Sequence, residues 1–353
     1  MKCLAVSSGG TAGHINPALS IARKLAEKNW QIHYLGNRNS LEEQLLAKTD
    51  FTFHELNVQK LYRRFTFAHA AFPFKLIKSI NLSKKIYKLI KPDVFLGCGG
   101  FVSGPPGYAA HLMHIPIILQ EQNSYPGLTT RLLAKYSNKI FLGNKKAEQY
   151  LKEAVTEYSG NPINSFPALN LPHYGDHNSK QKTVFLLGGS QGSQALNKVM
   201  LSICRELLAN GINLIWQTGK NNYVEILNKT GRKEGLILFD FSTQINEFYS
   251  KADIIIARAG ALTLAELETL RKPAILIPLP SSAENHQLYN AQEQAEKGIA
   301  EVLEQKDLTP ESLLKQVNAM LNNLEAYRSR FKNTLHSAAA EHIAAFIDAN
   351  YGS

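Results

Sequence analysis

The chain is poor in cysteine: Cys3, Cys98 and Cys204 are an odd number, far apart, and without the paired spacing of a zinc site. A disulfide scaffold is excluded, and the three read as buried thiols in a reducing compartment. No stretch approaches the ~18 apolar residues of a membrane-spanning helix. The start, Lys2-Cys3-Leu4-Ala5-Val6, runs into Ser7-Ser8-Gly9-Gly10 after four apolar residues, which leaves no room for the core of a signal peptide. The expectation is a cytoplasmic protein that meets a membrane, if at all, from its surface. Asp-x-Asp is missing throughout, so the usual carboxylate pair that holds a metal against a sugar nucleotide is lacking. No metal and no cofactor are expected. With 19% charged and 44% apolar residues the chain is neither disordered nor collagen-like. Its 353 residues exceed what one core usually supports, which predicts two domains of roughly 150 to 180 residues.

Acidic residues are absent from one long window. Between Asn57 and Pro92 stand Lys60, Arg63, Arg64, Lys75, Lys78, Lys84, Lys85, Lys88 and Lys91 with no acid among them. The formal charge of +10 is therefore concentrated there, the remaining 30 cations nearly balancing 29 acids. Phe65, Phe67, Phe72, Pro73, Phe74, Leu76 and Ile77 lie in the same window. Cations mixed with aromatics suit an anionic membrane surface. The plainer alternative is a surface helix whose buried stripe is Leu76, Ile80, Tyr87 and Ile90, its lysines solvated on the other face. No nucleic-acid motif accompanies the charge, so nucleic acid is not an expected partner.

Short apolar runs, each followed by a turn and a helical pattern, recur along the chain. They are Lys2 to Val6, Gln31 to Leu35, Asp93 to Leu96, Pro116 to Leu119 and Lys139 to Leu142 in the first half. Thr183 to Leu187, Asn213 to Gln217, Leu236 to Phe239, Asp253 to Ala257 and Ala274 to Ile277 repeat the plan in the second. This alternation predicts an α/β protein of two Rossmann-like, doubly wound parallel sheets, with ligands at the carboxyl ends of the strands. Gly160-Asn161-Pro162 and the Pro- and Asn-rich stretch to Ser179 look like the hinge, dividing residues 1–162 from 163–337. The last helix, Ala338 to Ala349, fits either domain.

Three glycine clusters follow strands. Ser8-Gly9-Gly10-Thr11-Ala12-Gly13-His14 precedes a helix with Pro17 in its first turn, and such a turn presents backbone N–H groups to a phosphate. It is not Gly-x-Gly-x-x-Gly, and Leu35-Gly36-Asn37-Arg38 stands where a dinucleotide enzyme has its acid. That class is disfavoured, although Arg38 suits a 2′-phosphate. His14 is either a structural donor or a base. Gly97-Cys98-Gly99-Gly100-Phe101-Val102-Ser103-Gly104 is either a close approach to a ligand or a tight crossover. After the next strand, Gln120-Glu121-Gln122-Asn123 puts four polar residues at a strand end. The third cluster is Gly188-Gly189-Ser190-Gln191-Gly192-Ser193. Downstream, Arg258-Ala259-Gly260-Ala261-Leu262-Thr263-Leu264-Ala265-Glu266 opens a helix whose N–H groups suit a diphosphate. Glu266 there would accept both hydroxyls of a ribose, or simply complement the helix dipole. Glu284-Asn285-His286-Gln287 supplies further polar groups, as a sugar needs.

Together these clusters resemble the two-domain, GT-B type glycosyltransferases, and among them the peptidoglycan transferases that convert lipid I to lipid II. The resemblance spans nearly the whole chain, through the three glycine clusters, Glu121-Gln122-Asn123 with Gly127-Leu128-Thr129, Gly160-Asn161-Pro162, and the Arg258 to Glu266 run. It implies two domains facing a cleft and inverting transfer of N-acetylglucosamine from its UDP derivative to the 4-hydroxyl of a muramoyl sugar on a polyprenyl diphosphate. The donor would meet Ser190 and Gln191 near its phosphates and Arg258 near its base. Ala261, Leu262, Thr263, Leu264 and Ala265 would line the helix start, with Glu266 on ribose and Gln287 on the sugar. Thr11, Ala12 and Gly13 would hold the acceptor diphosphate, and Asn123 would reach the donor sugar. His14 is the implied base and Glu121 the runner-up. The implied place is the cytoplasmic face of the bacterial inner membrane, peripherally bound, with cell-wall synthesis proteins as further partners.

The chain departs from the family pattern at four positions. Ala12 replaces the third Gly of Gly-Gly-Thr-Gly-Gly-His, Phe101 a Tyr, Gln120 a His, and Asn164 an Arg. These bear on affinity more than on the reaction. Two other functions stay open: a UDP-N-acetylglucosamine 2-epimerase, which has no need of the basic window, and a non-catalytic scaffold at the membrane surface.

Overall fold

The computed structural model describes residues 2–59, 68–163, 181–189, 192–242 and 245–352. The chain forms two compact units, Met1–Asn164 with Leu335–Ser353, and Ser165–Thr334. In the first, β1 (Cys3–Ser7), α1 (Ala12–Ala26), β2 (Gln31–Asn37), α2 (Leu41–Leu46), β3 (Thr52–Leu56) and α3 (Ala68–Ile90) are followed by β4 (Val94–Gly97), α4 (Gly104–Leu112), β5 (Ile117–Glu121), α5 (Leu128–Leu133), β6 (Lys139–Leu142) and β7 (Thr156–Tyr158). All seven strands are parallel, in the order β3-β2-β1-β4-β5-β6-β7.

The second unit repeats the plan. Its elements are β8 (Thr183–Leu187), α6 (Gln194–Ala209), β9 (Asn213–Gln217), α7 (Tyr223–Thr230), β10 (Leu236–Phe239), α8 (Ile245–Lys251) and β11 (Ile254–Ala257). Then come α9 (Ala261–Thr269), β12 (Ala274–Leu276), α10 (His286–Glu296), β13 (Ala300–Val302), α11 (Pro310–Asn322) and α12 (Leu324–Arg328). Its parallel order is β10-β9-β8-β11-β12-β13. Strands covered on both faces must be apolar throughout. Ile254-Ile255-Ile256-Ala257 accordingly is wholly buried and pairs in register with Val184-Phe185-Leu186-Leu187. Helix α6 buries one face only, so Leu196, Met200, Ile203 and Leu207 recur at three- and four-residue steps in the core with Leu186, Leu214 and Trp216.

In each sheet the chain reverses its direction of winding at one place, between β1 and β4 and between β8 and β11. Ligands of such folds bind at the carboxyl ends of the strands there. The final helix, α13 (Ala339–Tyr351), completes the first unit. Its Ile343, Ala344 and Ile347 are buried in one core with Ile15, Ala18 and Ala22 of α1. Asp348 accepts hydrogen bonds from Lys2 Nζ and Trp30 Nε1, each 2.8 Å long.

The ten apolar runs are strands within a residue or two of their expected ends. The structure adds β3, β7 and β13, all at sheet edges. Helix α3 packs Ile80, Ile86, Tyr87 and Ile90 against the core, in keeping with the expected stripe, but serines are buried among them. Its fully buried line is Ser79, Ser83, Ile86 and Tyr87, whereas Leu76, Ile80 and Ile90 are half-buried. Ser79 and Tyr87 are satisfied inside by the Asn57 and Pro106 carbonyls. Phe74, Ile77 and Leu89 are instead 76%, 57% and 83% exposed, beside exposed Lys75, Lys78, Lys85 and Lys88. Lys60, Arg63, Arg64, Phe65 and Phe67 lie outside the described residues.

Candidate functional site

Both glycine clusters of the first half fall at the switch point of the first sheet, one after β1 and one after β4, and they touch through bare backbone. Gly100 has φ +76°, and a Cβ on it would stand 2.1 Å from the Gly9 carbonyl oxygen. Only glycine allows that approach. Thr11, Ala12 and Gly13 are exposed at the start of α1, and no side chain caps this helix end. Its first N–H groups thus face outward with the positive end of the helix dipole, a disposition that attracts an anion. His14 is half-buried one residue further on, its Nδ1 2.7 Å from Gln122 Oε1. Phe101 begins a 3-10 turn and lays its ring against Gly10.

The polar end of β5 is buried as a network. Glu121 Oε1 accepts from Asn123 N and Asn123 Nδ2, both at 3.0 Å, and Oε2 accepts from Gly127 N at 3.1 Å and Thr130 Oγ1 at 2.6 Å. Four donors on two oxygens leave this carboxylate fully engaged. Gln120 Nε2 donates to Asn161 Oδ1 at 3.3 Å, and Asn161 N donates to His336 Nδ1 at 2.8 Å. The Gly160-Asn161-Pro162 turn is thereby tied to the segment that leads into α13. The three cysteines are buried, free thiols, and burial pushes Cys98 well above the usual thiol range.

The second sheet is arranged alike. Gly188 and Gly189 follow β8, and Gly192, with φ +76°, passes so close to the Thr218 carbonyl that a Cβ would lie 2.2 Å from its oxygen. Ser190 and Gln191 lie outside the described residues. Arg258, at the end of β11, donates from Nη1 to the Ile277 and Pro278 carbonyls at 3.1 and 3.2 Å. From Nη2 it donates to Ser193 Oγ at 2.8 Å and Gln305 Oε1 at 2.7 Å. It joins the loops after β8, β11, β12 and β13, and burial lowers its guanidinium pKa.

Helix α9 starts at Gly260 with no side-chain cap. Ala261, Leu262 and Thr263 are half-exposed at its first turn, whereas Leu264 and Ala265 are buried. Glu266 accepts a 3.0 Å hydrogen bond from the buried Tyr249 hydroxyl, and burial pushes its carboxyl up to about 7. Gln287 Oε1 accepts from Leu279 N at 3.0 Å, just beyond two left-handed residues, Glu284 and Asn285. The sequence motifs thus pick out both switch points. They contain Gln122 and Ser193 without assigning them a partner, and they miss Tyr249 and Gln305; these four side chains hold His14, Arg258 and Glu266.

Residues 4–142 match the N-terminal domain of glycosyltransferase family 28, and residues 183–346 match its C-terminal domain. The UDP-N-acetylglucosamine--N-acetylmuramyl-(pentapeptide) pyrophosphoryl-undecaprenol N-acetylglucosamine transferase of Colwellia psychrerythraea is 34% identical over 352 residues, covering 96% of this chain and 90% of that protein. A crystal structure of Acinetobacter baumannii MurG, 26% identical, superposes with a TM-score of 0.80 over 99% of this chain and 100% of its own. A UDP-GlcNAc 2-epimerase from Neisseria meningitidis, bound to UDP-GlcNAc, superposes at 0.65 over 99% of this chain and 100% of its own, but with 14% identity, a likeness of fold alone. The matches to both domains of glycosyltransferase family 28, on two parallel-sheet units, make the chain a two-domain glycosyltransferase of GT-B type. Within that class the chain belongs to the family of UDP-N-acetylglucosamine--N-acetylmuramyl-(pentapeptide) pyrophosphoryl-undecaprenol N-acetylglucosamine transferases.

Proposed function

We propose that the chain transfers N-acetylglucosamine from UDP-N-acetylglucosamine to the 4-hydroxyl of the muramoyl sugar of lipid I, an undecaprenyl diphosphate, giving lipid II for peptidoglycan with inversion to a β linkage. The observation that carries the reaction is His14 at the first switch point. Its Nδ1 is engaged inward by Gln122, and among the described residues no hydrogen bond engages Nε2. Nε2 takes the proton of the acceptor hydroxyl, the oxygen bonds to the anomeric carbon, and UDP leaves with the electrons of the broken C–O bond. The substrates follow from the relatives' names.

The uncapped start of α1, with Thr11, Ala12 and Gly13, takes the acceptor diphosphate. In the second unit Ser190, Gln191 and the first turn of α9, from Ala261 to Ala265, take the diphosphate of UDP. Glu266 accepts the ribose hydroxyls, Gln287 and Asn123 meet the sugar, and Arg258 shapes the loops around the base. Residues 1–162 serve the acceptor and 163–337 the donor. Glu121, with four donors of its own, orders the β5 loop and is a poor competitor for the proton.

The work is done peripherally at the cytoplasmic face of the bacterial inner membrane, near other cell-wall synthesis proteins. Support comes from the exposed Phe74 and Ile77 among lysines on α3. Among the described residues no helix is long and apolar enough to cross a bilayer. Radiolabelled donor with a short-chain lipid I analogue tests the transfer. UDP-N-acetylglucosamine supplied alone tests the epimerase reading, because an epimer formed without acceptor would favour it. If His14→Ala still supports cell growth, the scaffold reading gains and the catalytic one falls.

A further inference from the structure

One buried side chain just beyond β5 exchanges no proton in the transfer but touches the proposed base. Gln122 sits in the interior with Oε1 facing His14 Nδ1 at 2.7 Å. Its amide has only one permitted orientation. Nε2 lies 3.0 Å from the Cys98 carbonyl oxygen and 3.2 Å from that of Gln120, and it also donates to the Gln120 side-chain oxygen. Backbone carbonyls only accept, so turning the amide over would press Oε1 against two like lone pairs and give up the N–H bonds to both carbonyls. Oε1 therefore faces the imidazole, and being an acceptor it requires the proton on Nδ1. A neutral imidazole has one N–H, so Nε2 is left with its lone pair. Gly99 leaves room for the bond, since a Cβ there would stand 3.0 Å from His14 Nδ1.

We infer that Gln122 is a positioning residue that holds His14 in the Nδ1–H tautomer and so makes Nε2 the proton acceptor. This rests on the proposed role of His14 as base. The proton balance is simple. The acceptor hydroxyl gives its proton to Nε2, the imidazolium keeps Nδ1–H on Gln122, and loss of the Nε2 proton to water restores the starting tautomer. An amide fixes the orientation of the ring without placing a charge beside it. Gln120 contributes the side-chain oxygen that helps hold the Gln122 amide.

The test is nitrogen NMR of the whole chain with labelled histidine, the His14 signals being identified by their loss in His14→Gln. The wild type is expected to show a protonated Nδ1 and an unprotonated Nε2 at pH 8. In Gln122→Met the Nε2–H form should appear, with kcat lowered about 100-fold and KM for UDP-N-acetylglucosamine unchanged. An Nε2–H tautomer in the wild type, or a tautomer unmoved in Gln122→Met, overturns the inference. Full turnover by His14→Gln would overturn the base reading itself, and the two failures are distinguishable because the tautomer is read without turnover.

Discussion

Glu121 and Glu266 are both carboxylates near strand ends, and their surroundings give them opposite tasks. Glu121 has a donor for each lone pair it can use, so Glu121→Gln turns an NH2 group toward donors and should cost roughly 3 kcal/mol, read as a lower melting temperature. Glu266 accepts from the Tyr249 hydroxyl, and burial raises its pKa to about 7. Between about 4.5 and 7 the folded chain holds a proton there that the unfolded chain has released, so this group's contribution to stability falls as pH rises through that window. Ribose hydroxyls donate to the ionised form, and UDP affinity should therefore rise from pH 6 to pH 8, which calorimetry at the two values measures. Glu266→Gln should bind UDP about 100-fold more weakly and melt no lower than the wild type at pH 8. A UDP affinity flat with pH in the wild type would count against Glu266 as the ribose acceptor. His14 and Glu266 are legible in the sequence because each follows a glycine-bearing strand end. The pairings that hold them and Arg258 are not, since Gln122 lies 108 residues from His14, Tyr249 17 from Glu266, and Ser193 and Gln305 lie 65 and 47 from Arg258. No local pattern announces convergence over such distances.

At the scale of elements, legibility follows burial. Strands β1, β4, β5, β8 and β11 are covered on both faces and stand out as apolar runs, which is why the winding and both switch points can be read from the residues. Thr52–Leu56, Thr156–Tyr158 and Ala300–Val302 are edge strands of mixed burial, fixed by pairing with β2, β6 and β12 rather than by their own composition. Helix α13 is a similar case. Its apolar face is plain, but which unit it joins depends on α1 and on the partners of Asp348. Because Ile347 is wholly buried in that core, Ile347→Ala should destabilise the first unit by about 3 kcal/mol. UDP binding, proposed for the other unit, should keep its wild-type affinity below the melting temperature. An unchanged melting temperature would mean that α13 adds little to the core it enters.

For the molecule as a whole, the distribution of charge matters more than the total of +10. The acid-free window coincides with a helix that hides Ser79 and Ser83 and exposes Phe74, Ile77 and Leu89, the reverse of what a helix facing only water gains by burying its apolar groups. An anionic bilayer reconciles both features, because it takes apolar side chains into its interface and attracts the lysines around them. The two contributions separate experimentally. At about 1 kcal/mol for each cation near the surface, changing Lys75, Lys78, Lys84 and Lys85 to Gln should weaken binding to phosphatidylserine-containing vesicles by up to about a thousandfold at low salt. The deficit should shrink as added salt shortens the Debye length from about 30 Å at 0.01 M to about 8 Å at physiological strength. Phe74→Ser with Ile77→Ser removes apolar contact and no charge, so its loss of binding should persist at high salt. Sedimentation with vesicles measures both, with soluble UDP binding as the control for folding. Equal partitioning of the wild type and the lysine variant at low salt would detach the basic window from the membrane.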